Sequence, residues 1–285
     1  MVRYYEAIMR IVFMAAAAVS VLAVLTICWF LFASGLPAMR EIGIWNFVSG
    51  SSWKPLEGEF GILPMIVGSC YVTAGAIIVG VPLGLLCAVY MAKFCPQGLY
   101  RLLKPAIELL AGIPSVVFGF FGLMVIVPVV QELTGGGGKG ILTASLVLGI
   151  MILPTIVSVS EAAIRAVPDS YYEGALALGA THEKSVFFTT LPAAKSGITA
   201  SVILGIGRAI GETMAVTMVA GNQAVLPESL TSGVRTMTAN IVLEMGYAAK
   251  GIHRDSLIAT AVVLFVFILI INICFSLLKR GEKRL

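Results

Sequence analysis

Long apolar runs alternate with shorter polar stretches along the chain, at residues 11–32, 62–92, 106–130, 141–160, 197–220 and 256–278. About 20 helical residues, at ~1.5 Å of rise each, cross a hydrocarbon core of roughly 30 Å. The pattern therefore predicts six transmembrane helices. Arg3 and Arg10 precede the first run, which is too long for the apolar core of a signal peptide and reads as an uncleaved helix. The run 62–92 exceeds one straight span, and Pro64, Gly80, Pro82 and Gly84 are expected to bend or divide it. Gly112-Ile113-Pro114, Gly119, Gly122 and Pro128 interrupt 106–130, and broken apolar helices of this kind line cavities. The polar segment 33–61 carries Trp45 and Trp53 and has room for a short amphipathic piece at the membrane interface.

Composition agrees with this reading. The 285 residues are 59% hydrophobic and only 12% charged, with a mean hydropathy of +0.99, whereas a soluble domain carries about 25% charged residues. The fold class is all-α integral membrane. Lysine and arginine gather in the 93–105 and 161–196 loops and in the 279–284 tail, which is expected to place both termini in the cytoplasm, with six spans facing lipid. The five cysteines show no metal-ligand spacing and read as small core residues, and His182 and His253 stand far apart. No metal, catalytic triad or paired catalytic carboxylate is apparent, so the chain reads as neither an enzyme nor a nucleic-acid binder. Gly135 to Gly140 only superficially resembles a phosphate loop. Leu133 and Gly140 stand where that pattern needs glycine and a hydroxyl residue, so the stretch reads as a connector.

The loop 161–196 is patterned. Ser170-Tyr171-Tyr172-Glu173 fits a capping box, so a short helix is expected to start there and stop at Gly179. Thr181 is placed to cap a second short helix through Phe187 and Phe188, ending before Leu191-Pro192. Tyr171, Tyr172, Leu176, Phe187 and Phe188 are many apolar groups to leave in water; they pack on the spans or enter a partner's groove.

Within 197–220, Arg208 falls near the middle of the bilayer, where a lipid-facing cation costs at least ~2.5 kcal/mol. It should face a helix bundle, a watery path or a counter-ion. On a continuous helix Glu212, four residues on, is that counter-ion, and Gly205, Gly207 and Gly211 leave room for a close helix or an anion. The pair reads either as a structural ion pair or as an anion contact in a translocation path. Thr213 and Thr217 could add hydroxyl donors, or bond within their own helix. Glu108 and Glu161 are expected at hydrated span ends, and Arg235, Glu244, Lys250, Arg254 and Asp255 in an outer loop, solvated or in contact with a receptor.

Glu173-Gly174-Ala175, Gly179 and Leu191-Pro192 resemble the EAA motif of bacterial ABC importer permeases, with Gly174 where that pattern has alanine and Thr189 where it has isoleucine. Leu109-Leu110-Ala111-Gly112-Ile113-Pro114-Ser115, Ile152-Leu153-Pro154-Thr155 and Arg208-Ala209-Ile210-Gly211-Glu212-Thr213-Met214-Ala215-Val216 resemble the PstC branch of phosphate-specific permeases. The resemblance implies a type I ABC importer permease fold, with an N-terminal helix and extracytoplasmic segment over 1–60 and the permease domain over 61–285. It further implies a cytoplasmic coupling helix at Glu173, Gly174, Ala175, Gly179, Leu191 and Pro192, and a phosphate path at Arg208, Glu212 and Thr213. The implied partners are a PstA-like permease, two PstB-like ATPase subunits that hold ATP and Mg, and a PstS-like extracytoplasmic phosphate-binding protein whose landing surface is 33–61 and 221–255. No cofactor belongs to this chain itself. The alternatives are a permease for another oxyanion, such as molybdate, tungstate or sulfate, or a carrier or channel acting alone.

Overall fold

The computed structural model describes residues 2–282 and, within them, all side chains except those of 2–4, 7, 276 and 278–282. Arg3 and the basic 279–284 tail thus fall outside the described side chains. Among the described residues six helices are long and apolar enough to cross a membrane: Ile8–Ile42, Leu63–Phe94, Ser115–Thr134, Ile141–Arg165, His182–Gly211 and Ile252–Phe275.

Helix α1 (Val2–Ile42) runs on through Pro37 into the stretch expected to be polar. There follow α2 (Ile44–Ser49) and a hairpin of β1 (Trp53–Lys54) and β2 (Glu59–Phe60), with Trp53 opposite Phe60. Helix α3 (Leu63–Val89) ends in a π-helical turn over Tyr90–Phe94. Contrary to expectation, Pro82 does not divide it. The 32-residue segment is about 48 Å long, well beyond a hydrocarbon core of roughly 30 Å. Its positions Gly68, Val72, Ala76, Gly80, Gly84 and Ala88 are buried at every fourth residue. This ridge of small side chains lets α3 approach α7 (Ile141–Arg165) so closely that a methyl on Gly80 would come within 2.7 Å of the Gly149 carbonyl oxygen. Helix α7 is the central element, packed against α3 on one side and α10 (Leu191–Gly211) on another.

Between α3 and α7 lie α4 (Gln97–Gly112), α5 (Ser115–Phe121), a π-helical turn at Gly122–Ile126 and α6 (Val127–Thr134). The third span therefore starts at Ser115 and not at residue 106. Pro114 disfavours the helical region for Ile113, and both residues are extended. Helix α4 is separate and amphipathic, with no fully buried residue.

After α7 come α8 (Asp169–Ala177), α9 (His182–Ser185), a π-helical turn at Val186–Thr190, α10, α11 (Met214–Val219), α12 (Met237–Met245) and α13 (Ile252–Glu282). The fourth span reaches Arg165, beyond residue 160. The fifth is displaced toward the N-terminus of the expected 197–220 and is broken at Glu212-Thr213. The sixth begins at Ile252, before residue 256. Ala38 and Met39 of α1 share a buried cluster with Leu257, Ala259 and Val262 of α13, while residues 8–27 of α1 are exposed. The cysteines are not core: each described one is half-buried or exposed.

Candidate translocation site

The most informative local feature is the break between α10 and α11. Helix α10 stops at Gly211 because Glu212 adopts extended geometry (φ −70°, ψ 133°). In a continuous helix the Ala215 amide would bond the Gly211 carbonyl, and the Glu212 carbonyl would receive the Val216 amide. Here the Glu212 carboxylate accepts the Ala215 amide at 3.1 Å, and the Glu212 carbonyl accepts the Thr238 hydroxyl at 3.0 Å. In lipid such freed groups must find protein partners, so the break is specified by side chains that replace the helical bonds.

Arg208 lies one turn before the break, half-buried. It does not use Glu212 as its counter-ion, because the extended backbone carries that carboxylate away to cap α11. Its Nη1 instead donates to Thr155 Oγ1 on α7 at 3.1 Å. Among the described residues no ion pair engages Arg208. Thr155 follows Pro154 in a motif noted in the sequence, although its role as the arginine's partner is not readable there. Thr213 and Thr217 bond backbone carbonyls, Gly211 at 3.3 Å and Met214 at 2.8 Å.

The glycines divide by environment. A methyl on Gly205 would lie 3.0 Å from Ile156 of α7, so Gly205 serves packing. Methyl groups on Gly207 and Gly211, one turn apart beside Arg208, would meet nothing within 4 Å. Helix α11 seats against α5, where Gly119 faces Ala215 and Met218, so the two interrupted spans pack against each other.

At the far end of α10 the structure places the elbow. Gly179 has φ +88° and ends the first short helix, as expected from its residue type. Thr181 caps α9 by accepting the Lys184 amide at 3.4 Å. Two expectations fail. Ser170 is not a cap: α8 starts at Asp169 after Pro168, with no side-chain cap bond. Nor does the second helix end before Leu191-Pro192, since the wider π-helical turn absorbs the proline and joins α9 to α10 without a break. Tyr172 turns inward, its hydroxyl 2.7 Å from His182 Nδ1, and Lys93 sits 5.7 Å from its ring centroid. Glu173, Gly174 and Pro192 are exposed, Ala175 and Leu191 are half-buried, and Leu178 and Phe188 are 92% and 80% exposed.

Two acidic residues depart from the hydrated positions expected of them. Glu161 is 2% exposed and accepts Tyr100 at 2.8 Å, Lys104 at 2.7 Å and the Arg165 guanidinium, which also reaches the Met91 carbonyl at 2.8 Å. Its hydrogen bond raises Lys104 above the ordinary lysine value and Tyr100 above the ordinary tyrosine value. Glu244 is 5% exposed and meets Trp53 Nε1 at 2.9 Å, Arg235 Nη1 at 2.7 Å and His253 Nε2 at 2.9 Å. Spacing gave little signal for either cluster: Arg165 lies one turn after Glu161, and Arg235 and His253 stand nine residues either side of Glu244, but Tyr100, Lys104 and Trp53 come from distant parts of the chain. Among the described residues no group of His, Cys, Asp or Glu is arranged to hold a metal ion.

Comparison with known proteins fits this architecture. Residues 80–284 match the family described as the binding-protein-dependent transport system inner membrane component. A probable ABC transporter permease protein, YqgH of Bacillus subtilis, is 38% identical, covering 92% of this chain and 88% of that protein. The phosphate transport system permease protein PstC of Mesorhizobium japonicum is 36% identical over 89% of this chain and 84% of its own length. Among solved structures, the bacterial alginate ABC transporter in complex with its pentasaccharide-bound periplasmic protein matches with a TM-score of 0.62 and 15% identity, over 93% of this chain and 94% of that one. The inward-facing MetNI methionine ABC transporter matches with a TM-score of 0.60 and 18% identity, over 81% and 99%. The fold is that of type I ABC importer permeases, and this chain belongs to the family of binding-protein-dependent transport system inner membrane components.

Proposed function

We propose that this chain is the permease subunit of an ATP-driven inorganic phosphate importer, with Arg208, Glu212 and Thr213 on the anion's route. The observation that carries the reading is Arg208 itself: a guanidinium beside a helix break, held by one hydroxyl and by no carboxylate among the described residues. Its planar fork of donors matches phosphate oxygens. The open sides of Gly207 and Gly211 leave space for an anion, and the relatives named as phosphate permeases supply the substrate class. Conduction needs binding weak enough to release, which a single arginine provides better than a cluster of cations.

In this reading residues 61–285 form the permease domain, 1–60 add a helix and outer segment, and both termini are cytoplasmic. The elbow at Glu173, Gly174, Ala175 and Gly179, continuing to Leu191 and Pro192, docks on a PstB-like ATPase that holds ATP and Mg. Exposed Leu178 and Phe188 then enter its groove. A PstA-like permease completes the path, and a PstS-like protein delivers phosphate at the hairpin end.

The test is ATP-dependent uptake of labelled phosphate by vesicles carrying the whole complex, wild type against Arg208→Gln at matched assembly. Loss of uptake with the ATPase still bound supports the reading. Unchanged uptake makes the arginine structural. No movement of labelled phosphate in wild type, with ATP-dependent uptake of labelled molybdate, tungstate or sulfate instead, moves the substrate to another oxyanion.

A further inference from the structure

The hydroxyls beside the break form a chain whose direction is fixed. Thr238 uses its single O–H on the Glu212 carbonyl, so across the 3.0 Å contact between Thr236 and Thr238 the donor is Thr236. Thr236 Oγ1 in turn accepts the Ala239 amide at 3.2 Å, and both threonines are buried. The first turn of α12 is also pinned to α3, where Ser69 Oγ accepts the Met237 amide at 3.0 Å.

The other end of α12 is anchored differently. Glu244 receives Trp53 of the hairpin, Arg235 from the segment before α12, and His253 of α13. Arg235 also donates to the Asn240 side chain at 3.1 Å and to the Asn222 carbonyl at 3.0 Å. This nine-residue helix, about 13 Å long, thus joins the helix break to the hairpin.

We propose that Thr238 is a positioning residue for transport: its hydroxyl holds the Glu212 carbonyl, and with it the break beside Arg208, while Glu244 fixes the helix that carries Thr238. The residue touches no substrate. The proposal rests on the reading that the break lies on the anion's route. Without the hydroxyl, the Glu212 carbonyl loses its replacement donor and the extended residue at the break is no longer held to α12.

Thr238→Val keeps the side-chain shape and removes the hydroxyl; Thr238→Ser keeps the hydroxyl. In vesicles at matched assembly and saturating binding protein, Val lowers the maximal uptake rate by about threefold to tenfold, the equivalent of one neutral hydrogen bond. The half-saturating phosphate concentration does not change, and Ser restores the rate. Wild-type rates in both variants, or equal slowing in both, overturn the proposal. A second readout does not depend on the substrate. With the five native cysteines replaced by alanine, a Thr213→Cys reporter reacts faster with a water-soluble maleimide in the Val variant and not in the Ser variant; equal labelling in the two overturns the positioning role. If wild type moves no phosphate, the functional reading fails, and the labelling still decides the role of Thr238.

Discussion

Arg208 of α10 donates to Thr155 of α7 across 3.1 Å, in preference to the carboxylate four residues along its own chain. This contact links two of the most closely packed helices of the bundle and sets where the guanidinium stands. Thr155→Val removes the acceptor while keeping the volume. The protein should fold and assemble, with uptake reduced by about tenfold to a hundredfold, the scale of a hydrogen bond to a charged group left unmade (~1.5–3 kcal/mol). Uptake at wild-type rates would show that Arg208 is positioned by something else.

The two kinds of glycine in α10 give opposite outcomes. Gly205→Val drives a side chain into Ile156 and should destabilise the bundle by about 1–3 kcal/mol, read as early melting in detergent. Gly207→Val meets open space, so it should melt like wild type yet slow uptake by narrowing the region beside Arg208. Equal melting of the two variants would contradict the assignment of faces.

Breaking the Glu161 cluster leaves Lys104 and Arg165 with no shared carboxylate. Glu161→Gln is expected to cost about 3 kcal/mol, the scale for removing one partner of a buried ion pair, measured as a drop in melting temperature. Lys104 gives the sign of the pH dependence. Its value is raised in the folded state, so its contribution is fully present below the ordinary value of 10.5 and is lost as pH rises through the raised value. Lys104→Met should therefore flatten the alkaline loss of stability, most visibly above pH ~10.

At the elbow, Gly179→Ala forces a side chain onto a left-handed backbone at a cost of roughly 1 kcal/mol. Melting should shift little. If the elbow docks on an ATPase, co-purification of that subunit falls while the permease remains intact; full recovery of the ATPase with the variant would argue for a docking surface elsewhere.

Much of this was legible from residue order alone. The six spans follow from apolar length, and Gly179 and Thr181 announce the elbow through residue type. What sequence could not place were events governed by distant partners. Glu212 looks like a counter-ion on a helical wheel, but Thr238, well beyond it in the chain, stabilises a break that moves the carboxylate elsewhere. Glu161 and Glu244 look solvated because the donors that complete their burial, among them Lys104 and Trp53, lie far away in the chain. Pro192 reads as a helix stop because a wider turn that accommodates it leaves no spacing signature.

That wider turn has a consequence for geometry. The π-helical turn at Val186–Thr190 contains about one more residue than an α-turn, and each residue of an α-helix advances the chain by about 100°. The turn therefore fixes the angular phase between Thr181, where the second helix of the elbow begins, and Arg208, several turns away on the same continuous rod. Deleting one residue there would relax the rod to uniform pitch and leave every contact at one end intact only by rotating the other, so the extra residue works as a phase setting between the two ends.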